Sequence, residues 1–283
     1  MSVCTNFGAI CRMIKIEHSI FALPFAYAGA FLAADGWPGF GTLVLLTIAM
    51  VGIRSFAMAF NRVADLPFDR KNPRTADWPL VTGEITVWQT WRFAGVMAVV
   101  FVLACAALNP VCLALSPIAL ILCAVYSYTK RITWLCHFIL GAVISLAPMA
   151  GWLSVSPYFS INFLLLACGV LFWIAGFDIL YSCQDMAFDS QEGLHSLPVR
   201  FGIERAMAIA AFSHVNTALF LFLTGIACSL SFGWYLALAI SAWLLLKQHR
   251  LISPENTKNI RYVFAMNGPI AVLLFIGTLL GVW

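Results

Sequence analysis

The chain repeats one theme, an apolar stretch of roughly 17–25 residues followed by a polar connection. Such stretches fall at 19–35, 43–64, 92–109, 111–129, 133–153, 162–184, 206–228, 232–248 and 263–283. Most are long enough to cross a hydrocarbon core of about 30 Å. Lipid offers no partners to backbone N–H and C=O groups, so each segment must close its hydrogen bonds internally as a helix. Composition removes the soluble alternative. Charged residues make up 10% of the 283 and hydrophobic residues 62%, against about 25% charged in soluble domains. So few charges cannot cover a water-exposed surface. The expected fold is all-α: a polytopic membrane protein of nine transmembrane helices, forming a single domain over residues 1–283.

Basic residues alternate with the spans. The connections near 36–42, 109–111, 154–161 and 229–231 contain no Lys or Arg. The opposite side collects Arg12, Lys15, Arg70, Lys71, Arg74, Arg92, Lys130, Arg131, Arg200, Arg205, Lys247, Arg250, Lys258 and Arg261. An odd number of spans makes this segregation self-consistent, and the positive-inside rule puts the N-terminus in the cytoplasm. Met1 to Glu17 is short and polar without a small-residue cleavage site, so no cleaved signal peptide is expected. The nine Cys form no CxxC pair and lie mostly in apolar runs, where Cys acts as a small hydrophobe. The net charge of +4 is modest and is set by topology, so no nucleic-acid partner is expected.

Only 12 residues are acidic, and four of them fall in two places. Asn61, Asp65 and Asp69 close the second span at i, i+4 spacing; Asp185 and Asp189 close the sixth at the same spacing. Residues four apart share a helical face. Pro67 is expected to end or distort its helix, leaving Asp69 on the loop beyond. Carboxylates and an amide oxygen are hard ligands that suit Mg²⁺, which binds through one or two carboxylates plus substrate phosphates. Two such clusters can hold two Mg²⁺ ions on one diphosphate. Each opens a long basic cytoplasmic loop, 65–91 and 185–205, and the chain halves roughly at its middle spans, as an internal duplication would.

Two charges lie deeper. Arg54 precedes Asn61 by seven residues and Asp178 precedes Asp185 by seven, which is two turns, or about 10 Å along a helix. A charge at that depth costs on the order of 2.5–3.5 kcal/mol, so it should face a wet cavity or a partner. The two could pair with each other and still line one pocket.

These residues resemble the UbiA superfamily of intramembrane aromatic prenyltransferases. The family pattern NxxxDxxxD matches Asn61, Asp65 and Asp69, and its DxxxD matches Asp185 and Asp189. The stretch from Glu17 and His18 through Pro24, and the stretches 72–75, 126–131 and 193–202, are similar to the 4-hydroxybenzoate polyprenyltransferase branch. The likeness covers essentially the whole chain. It implies a UbiA-type nine-helix bundle in the bacterial inner (cytoplasmic) membrane, with its active site at the cytoplasmic side. Two positions depart from the pattern: Arg62 stands where an acidic residue is common, and Trp78 stands where a basic residue precedes Pro79 and Leu80. A phosphate contact is therefore not expected at 78, and Arg70, Lys71 and Arg74 can compensate.

The resemblance implies a polyprenyl diphosphate donor and an aromatic acid acceptor, with Mg²⁺ as cofactor. Asn61, Asp65 and Asp69 would hold one ion, and Asp185 and Asp189 the other. Arg70, Arg74, Lys130 and Arg131 are the candidates for phosphate contact, although Lys130 and Arg131 also fit as topology charges. Loss of diphosphate leaves an allylic cation, which aromatic faces stabilise; Tyr126, Tyr128, Tyr181 and Phe60 lie nearest the motifs in sequence. Arg54 is the candidate partner of the acceptor carboxylate. Asp178 could orient its phenol or receive its proton. His18 and His195 can titrate near neutrality; His18 reads as an interfacial residue, and His195 as part of a loop that Gly193 and Gly202 let bend. The acceptor could be 4-hydroxybenzoate, in ubiquinone biosynthesis, or 1,4-dihydroxy-6-naphthoate, in a menaquinone route. A secondary transporter would also place Arg and Asp in the membrane, but neither it nor a scaffold explains acidic clusters at two helix ends.

Overall fold

The computed structural model describes residues 3–15 and 22–283. Glu17 and His18 lie outside the described residues, as does the start of the first expected span. The described backbone is helical: α1 (Val3–Ile14), α2 (Leu23–Ala34), α3 (Phe40–Asp69), α4 (Val87–Leu108), α5 (Pro110–Thr129), α6 (Cys136–Val155), α7 (Ile161–Ser182), α8 (Met186–Gln191), α9 (Leu197–Phe201), α10 (Ile203–Ala227), α11 (Phe232–Leu251), α12 (Ile260–Ala265) and α13 (Asn267–Val282). No strand occurs among the described residues beyond one isolated bridge between Ser253 and Asn256.

Seven described segments are long and apolar enough to cross a membrane: α3, α4, α5, α6, the stretch from α7 to α8, α10, and α12 with α13. The protein is therefore an integral membrane protein. Length and composition give seven spans among the described residues against the nine expected. The difference lies at α2, which has 12 residues, and at α11, whose polar C-terminal end holds Lys247 and Gln248 and then His249 and Arg250 in its last turn.

The chain divides into two compact units: Met1–Ser19 with Leu45–Tyr128, and Ile20–Val44 with Thr129–Trp283. In the first unit, Ala9, Met13 and Ile14 of α1 form a buried cluster with Ala59 of α3, Ile85, and Ala94 of α4. Contrary to the expectation of a short polar lead over residues 1–17, Ile10, Met13 and Ile14 recur at helical spacing and give α1 an apolar face. A Cβ at Gly52 would press on the backbone of Met97 and Phe101, so α3 and α4 approach closely. α4 begins five residues earlier than expected. Thr86 accepts from the Gln89 amide and Gln89 reaches back to the Thr86 amide, a capping box that starts the helix at Val87 and leaves Arg92 within it.

In the second unit, α2 packs on α6, α6 on α7, α7 on α10, and α13 on both α11 and α2. Gly29 of α2 lies against the Pro148 carbonyl, and Gly151 of α6 against the Ala26 carbonyl. Neither site has room for a side chain, and removing both side chains lets the backbones meet. Trp173 and Trp234 are fully buried, and the Trp234 indole donates to the Leu221 carbonyl at 3.1 Å. The expected loop at 185–205 is instead largely helical, because α8 and α9 occupy most of it. Gly193 and Gly202 adopt φ of +68° and +81°, so glycine does provide the bends there. Cys11, Cys105, Cys112, Cys123, Cys136, Cys168, Cys183 and Cys228 are free thiols, and most of these eight are buried.

Candidate active site

The first acidic motif rides on α3. Asn61 Nδ2 donates to Asp65 Oδ2 at 2.8 Å, one turn along the same face. Asp69 is the last residue of the helix. The expectation that Pro67 would put Asp69 on a loop is therefore corrected. A proline this close to the C-terminus removes a single ladder bond, and the Arg70 amide still reaches the Leu66 carbonyl at 3.2 Å. The following turn is pinned to the motif. Thr75 is fully buried, and its hydroxyl donates to the Asp69 carbonyl at 2.8 Å. The Arg74 amide donates to Asn72 Oδ1 at 2.9 Å.

Arg54 sits two turns before Asn61 on the same continuous helix and is half-buried. Arg70 is exposed and Arg74 half-buried. The two departures from the family pattern meet each other: the buried Arg62 guanidinium lies 3.6 Å from the centre of the Trp78 ring. Phe60 meets Trp91 edge-on at 5.2 Å and Tyr128 at 6.2 Å. Tyr126 is half-buried, whereas Tyr128 is 40% exposed.

The second motif is built differently. α7 stops at Ser182, a 3-10 turn spans Cys183–Asp185, and α8 follows. The seven-residue spacing of Asp178 and Asp185 thus does not put them on one unbroken helical face, unlike Arg54 and Asn61. Asp185 is buried, and Asp189, on α8, is 1% exposed. Lys130 Nζ lies 2.8 Å from Asp189 Oδ2. Burial alone would lower the Lys130 pKa, but the Asp189 carboxylate, reinforced by Asp185 and Asp178, raises it above the usual lysine value. Lys130 is thereby tied to the motif, beyond any role as a topology charge. The Leu194 amide donates to the Asp189 carbonyl at 2.8 Å and the His195 amide to the Lys130 carbonyl at 2.7 Å. These bonds strap the chain after α8 to the connection before α6, with the His195 side chain exposed.

Asp178 is part-exposed on α7, and its Oδ2 lies 2.7 Å from Nδ1 of His137, a residue of α6 that is 2% exposed. His137 escaped the sequence reading. Its signal was present, since an ionisable residue within an apolar span is a functional candidate by default. Tyr181 packs on Phe264 at 4.7 Å, Arg131 is half-buried and Arg200 exposed.

The donor sets fit a hard divalent cation. Asp189 is a buried carboxylate already drawing a cation, and Asp65 is an oxygen donor oriented by Asn61. Among the described residues no three His, Cys, Asp or Glu side chains converge as a metal cage. Each motif offers two carboxylates, so phosphate oxygens and water would have to complete an octahedral shell.

Comparison with known proteins agrees with this arrangement. The family model described as the UbiA prenyltransferase family matches residues 22–281. A 4-hydroxybenzoate octaprenyltransferase of Marinobacter nauticus is 30% identical over 271 residues, covering 94% of this chain and 92% of its own. One from Chromohalobacter salexigens is 31% identical over 253 residues, covering 89% and 84%. Among solved structures, the apo UbiA homologue of Aeropyrum pernix superposes with a TM-score of 0.85 at 30% identity, over 93% of this chain and 97% of that one. The UbiA homologue of Archaeoglobus fulgidus bound to GPP and Mg²⁺ shares the fold, with a TM-score of 0.71 at 20% identity, over 96% of this chain and 99% of that one. The all-helical membrane fold, the two spaced acidic motifs and a family match over nearly the whole length together establish that this chain belongs to the UbiA prenyltransferase family and is a prenyltransferase.

Proposed function

We propose that the protein transfers a polyprenyl group from a polyprenyl diphosphate to the ring of an aromatic acid, with 4-hydroxybenzoate as acceptor, in respiratory quinone biosynthesis, and that residues 1–283 act as one catalytic domain. The observation that carries this reading is the pair of oxygen-donor motifs, Asn61, Asp65 and Asp69 on one helix and Asp185 and Asp189 on the 3-10 turn and short helix that follow another, in a chain whose relatives are named for this reaction.

Asn61, Asp65 and Asp69 would hold one Mg²⁺, and Asp185 and Asp189 a second. Bound Mg²⁺ supplies positive charge to neutralise the diphosphate as it leaves. Arg70, Arg74, Lys130 and Arg131 add fixed positive charge for the diphosphate. The C–O bond of the donor breaks, and the allylic cation is faced by aromatic rings, for which Tyr126, Tyr128 and Tyr181 are the candidates. Arg54 pairs with the acceptor carboxylate. A ring carbon forms the new C–C bond, and the proton it loses passes to Asp178. The membrane holds the isoprenoid tail in lipid, while the basic loops keep the diphosphate end at the cytoplasmic face of the inner membrane.

The test is purified protein in detergent with a labelled polyprenyl diphosphate, Mg²⁺ and each acceptor in turn. Prenylated 4-hydroxybenzoate is the expected product. Turnover with 1,4-dihydroxy-6-naphthoate alone would move the enzyme to a menaquinone route. Turnover with neither would defeat the reading.

A further inference from the structure

His137 uses both of its ring nitrogens. Nδ1 lies 2.7 Å from Asp178 Oδ2, and Nε2 accepts the backbone N–H of Leu197 at 3.3 Å. A nitrogen that accepts an N–H carries no proton of its own. The proton of the neutral ring is therefore on Nδ1, pointed at the Asp178 carboxylate. The three groups come from three elements: His137 from the first turn of α6, Asp178 from α7 and Leu197 from the start of α9. The imidazole is 2% exposed, while the Asp178 side chain is 26% exposed. The histidine is thus the buried member, and the carboxylate is the member that reaches accessible space. The chain around Leu197 is itself held, since the His195 amide donates to Lys130 and Cys136 Sγ donates to the His195 carbonyl at 3.5 Å.

We infer that His137 is a positioning residue for prenyl transfer. Its Nδ1–H fixes Oδ2 of Asp178 and turns Oδ1 toward the acceptor. Its Nε2, anchored on the Leu197 amide, stops the ring from rotating away. When the prenyl–oxygen bond of the donor breaks and the ring–carbon bond forms, the acceptor ring must lose one proton. Asp178 Oδ1 takes it, and the diphosphate leaves with the bonding electrons. His137 keeps its own proton throughout and strengthens the orientation of the carboxylate rather than relaying charge. This rests on the proposed prenyl transfer, and specifically on Asp178 as the proton acceptor.

Two amide substitutions separate the two ring nitrogens. The Asn amide can occupy the Nδ1 position and still donate to Asp178. The longer Gln reaches the Nε2 position, where its oxygen can accept from Leu197 while the donation to Asp178 is lost. With labelled polyprenyl diphosphate and saturating acceptor, His137→Gln is expected to lower kcat by about 10- to 100-fold, within the range for a positioned general base. The KM for diphosphate should stay within about twofold, a signature of an interaction used in the transition state alone. His137→Asn should retain most of kcat. In an Asp178→Asn background, His137→Gln should have no further effect, because the two residues act as one unit.

Full kcat in His137→Gln, or equal losses in both variants tracking their melting temperatures, would overturn the inference. If His137→Gln does not fold, a His137→Asn variant that folds but loses as much kcat as Asp178→Asn would overturn it as well. A wild-type protein inactive with both acceptors would defeat the proposed function and this inference together. An active wild type beside a fully active His137→Gln would defeat this inference alone.

Discussion

The Arg62 guanidinium lies 3.6 Å from the centre of the Trp78 indole, and its Nε donates to the Met13 carbonyl at 3.2 Å. Arg62 and Trp78 are the two positions at which the sequence departs from the family resemblance, and in this chain they are in contact. An acidic residue at 62 suits a basic residue at 78. Here the cation stands at 62, and an aromatic face replaces the second charge. Lys15 at 5.2 Å and Arg74 at 5.9 Å also face this ring, so Trp78 is the common neighbour of three cations.

Restoring the family residue at 78 should therefore destabilise the protein. Trp78→Arg would set a like charge among Arg62, Lys15 and Arg74, and the expected result is a lower melting temperature in detergent. Adding Arg62→Asp should recover part of that loss. A double-mutant cycle over Arg62→Ala and Trp78→Ala should give a coupling of about 0.5–2 kcal/mol, the usual strength of such a stack. A coupling near zero would show that the stack contributes nothing.

Asp65→Ala and Asp185→Ala should each abolish product formation, with losses on the order of a thousandfold, while membrane insertion and yield stay normal. Chelating divalent ions should stop the wild type, and added Mg²⁺ should restore it. Near-normal turnover in either variant would sink the metal assignment.

Lys130→Ala leaves Asp189, at 1% exposure, without the cation 2.8 Å away. The lysine side chain is 35% exposed, so solvent screens part of the interaction and the cost falls well below that of a fully buried pair. A loss of about 1–3 kcal/mol is expected. Thermal unfolding should show the variant recovering stability with Mg²⁺ more than the wild type does, because a bound divalent ion supplies the missing charge. Equal Mg²⁺ responses would place the ion elsewhere.

Arg54→Ala should raise the KM for the aromatic acid by roughly 10- to 100-fold, the cost of a lost charge-assisted contact, and leave the KM for diphosphate nearly unchanged. Arg54→Lys should recover part of the effect, since it keeps the charge but not the planar fork. An unchanged acceptor KM would remove Arg54 from the acceptor site.

The sequence alone determined the membrane class, the positions of the apolar helices and the two oxygen-donor motifs. These properties are local. Apolar run length reports a helix that must satisfy its own backbone, and a four-residue spacing reports a shared face on that helix. The same local logic failed where structure depends on more distant neighbours. Asp69 stays in its helix because one lost ladder bond near a terminus is easily tolerated. α8 and α9 fold inside what reads as a loop, where Leu197 and Pro198 gain buried positions. Tertiary structure alone decided the pairings: Arg62 with Trp78, Lys130 with Asp189, and His137 with Asp178, two residues 41 positions apart. Which side chains meet across two helices depends on the rotation and depth at which they pack. Contacts such as Gly29 against Pro148 and Gly151 against Ala26 set that geometry, and no periodicity within a single helix records it.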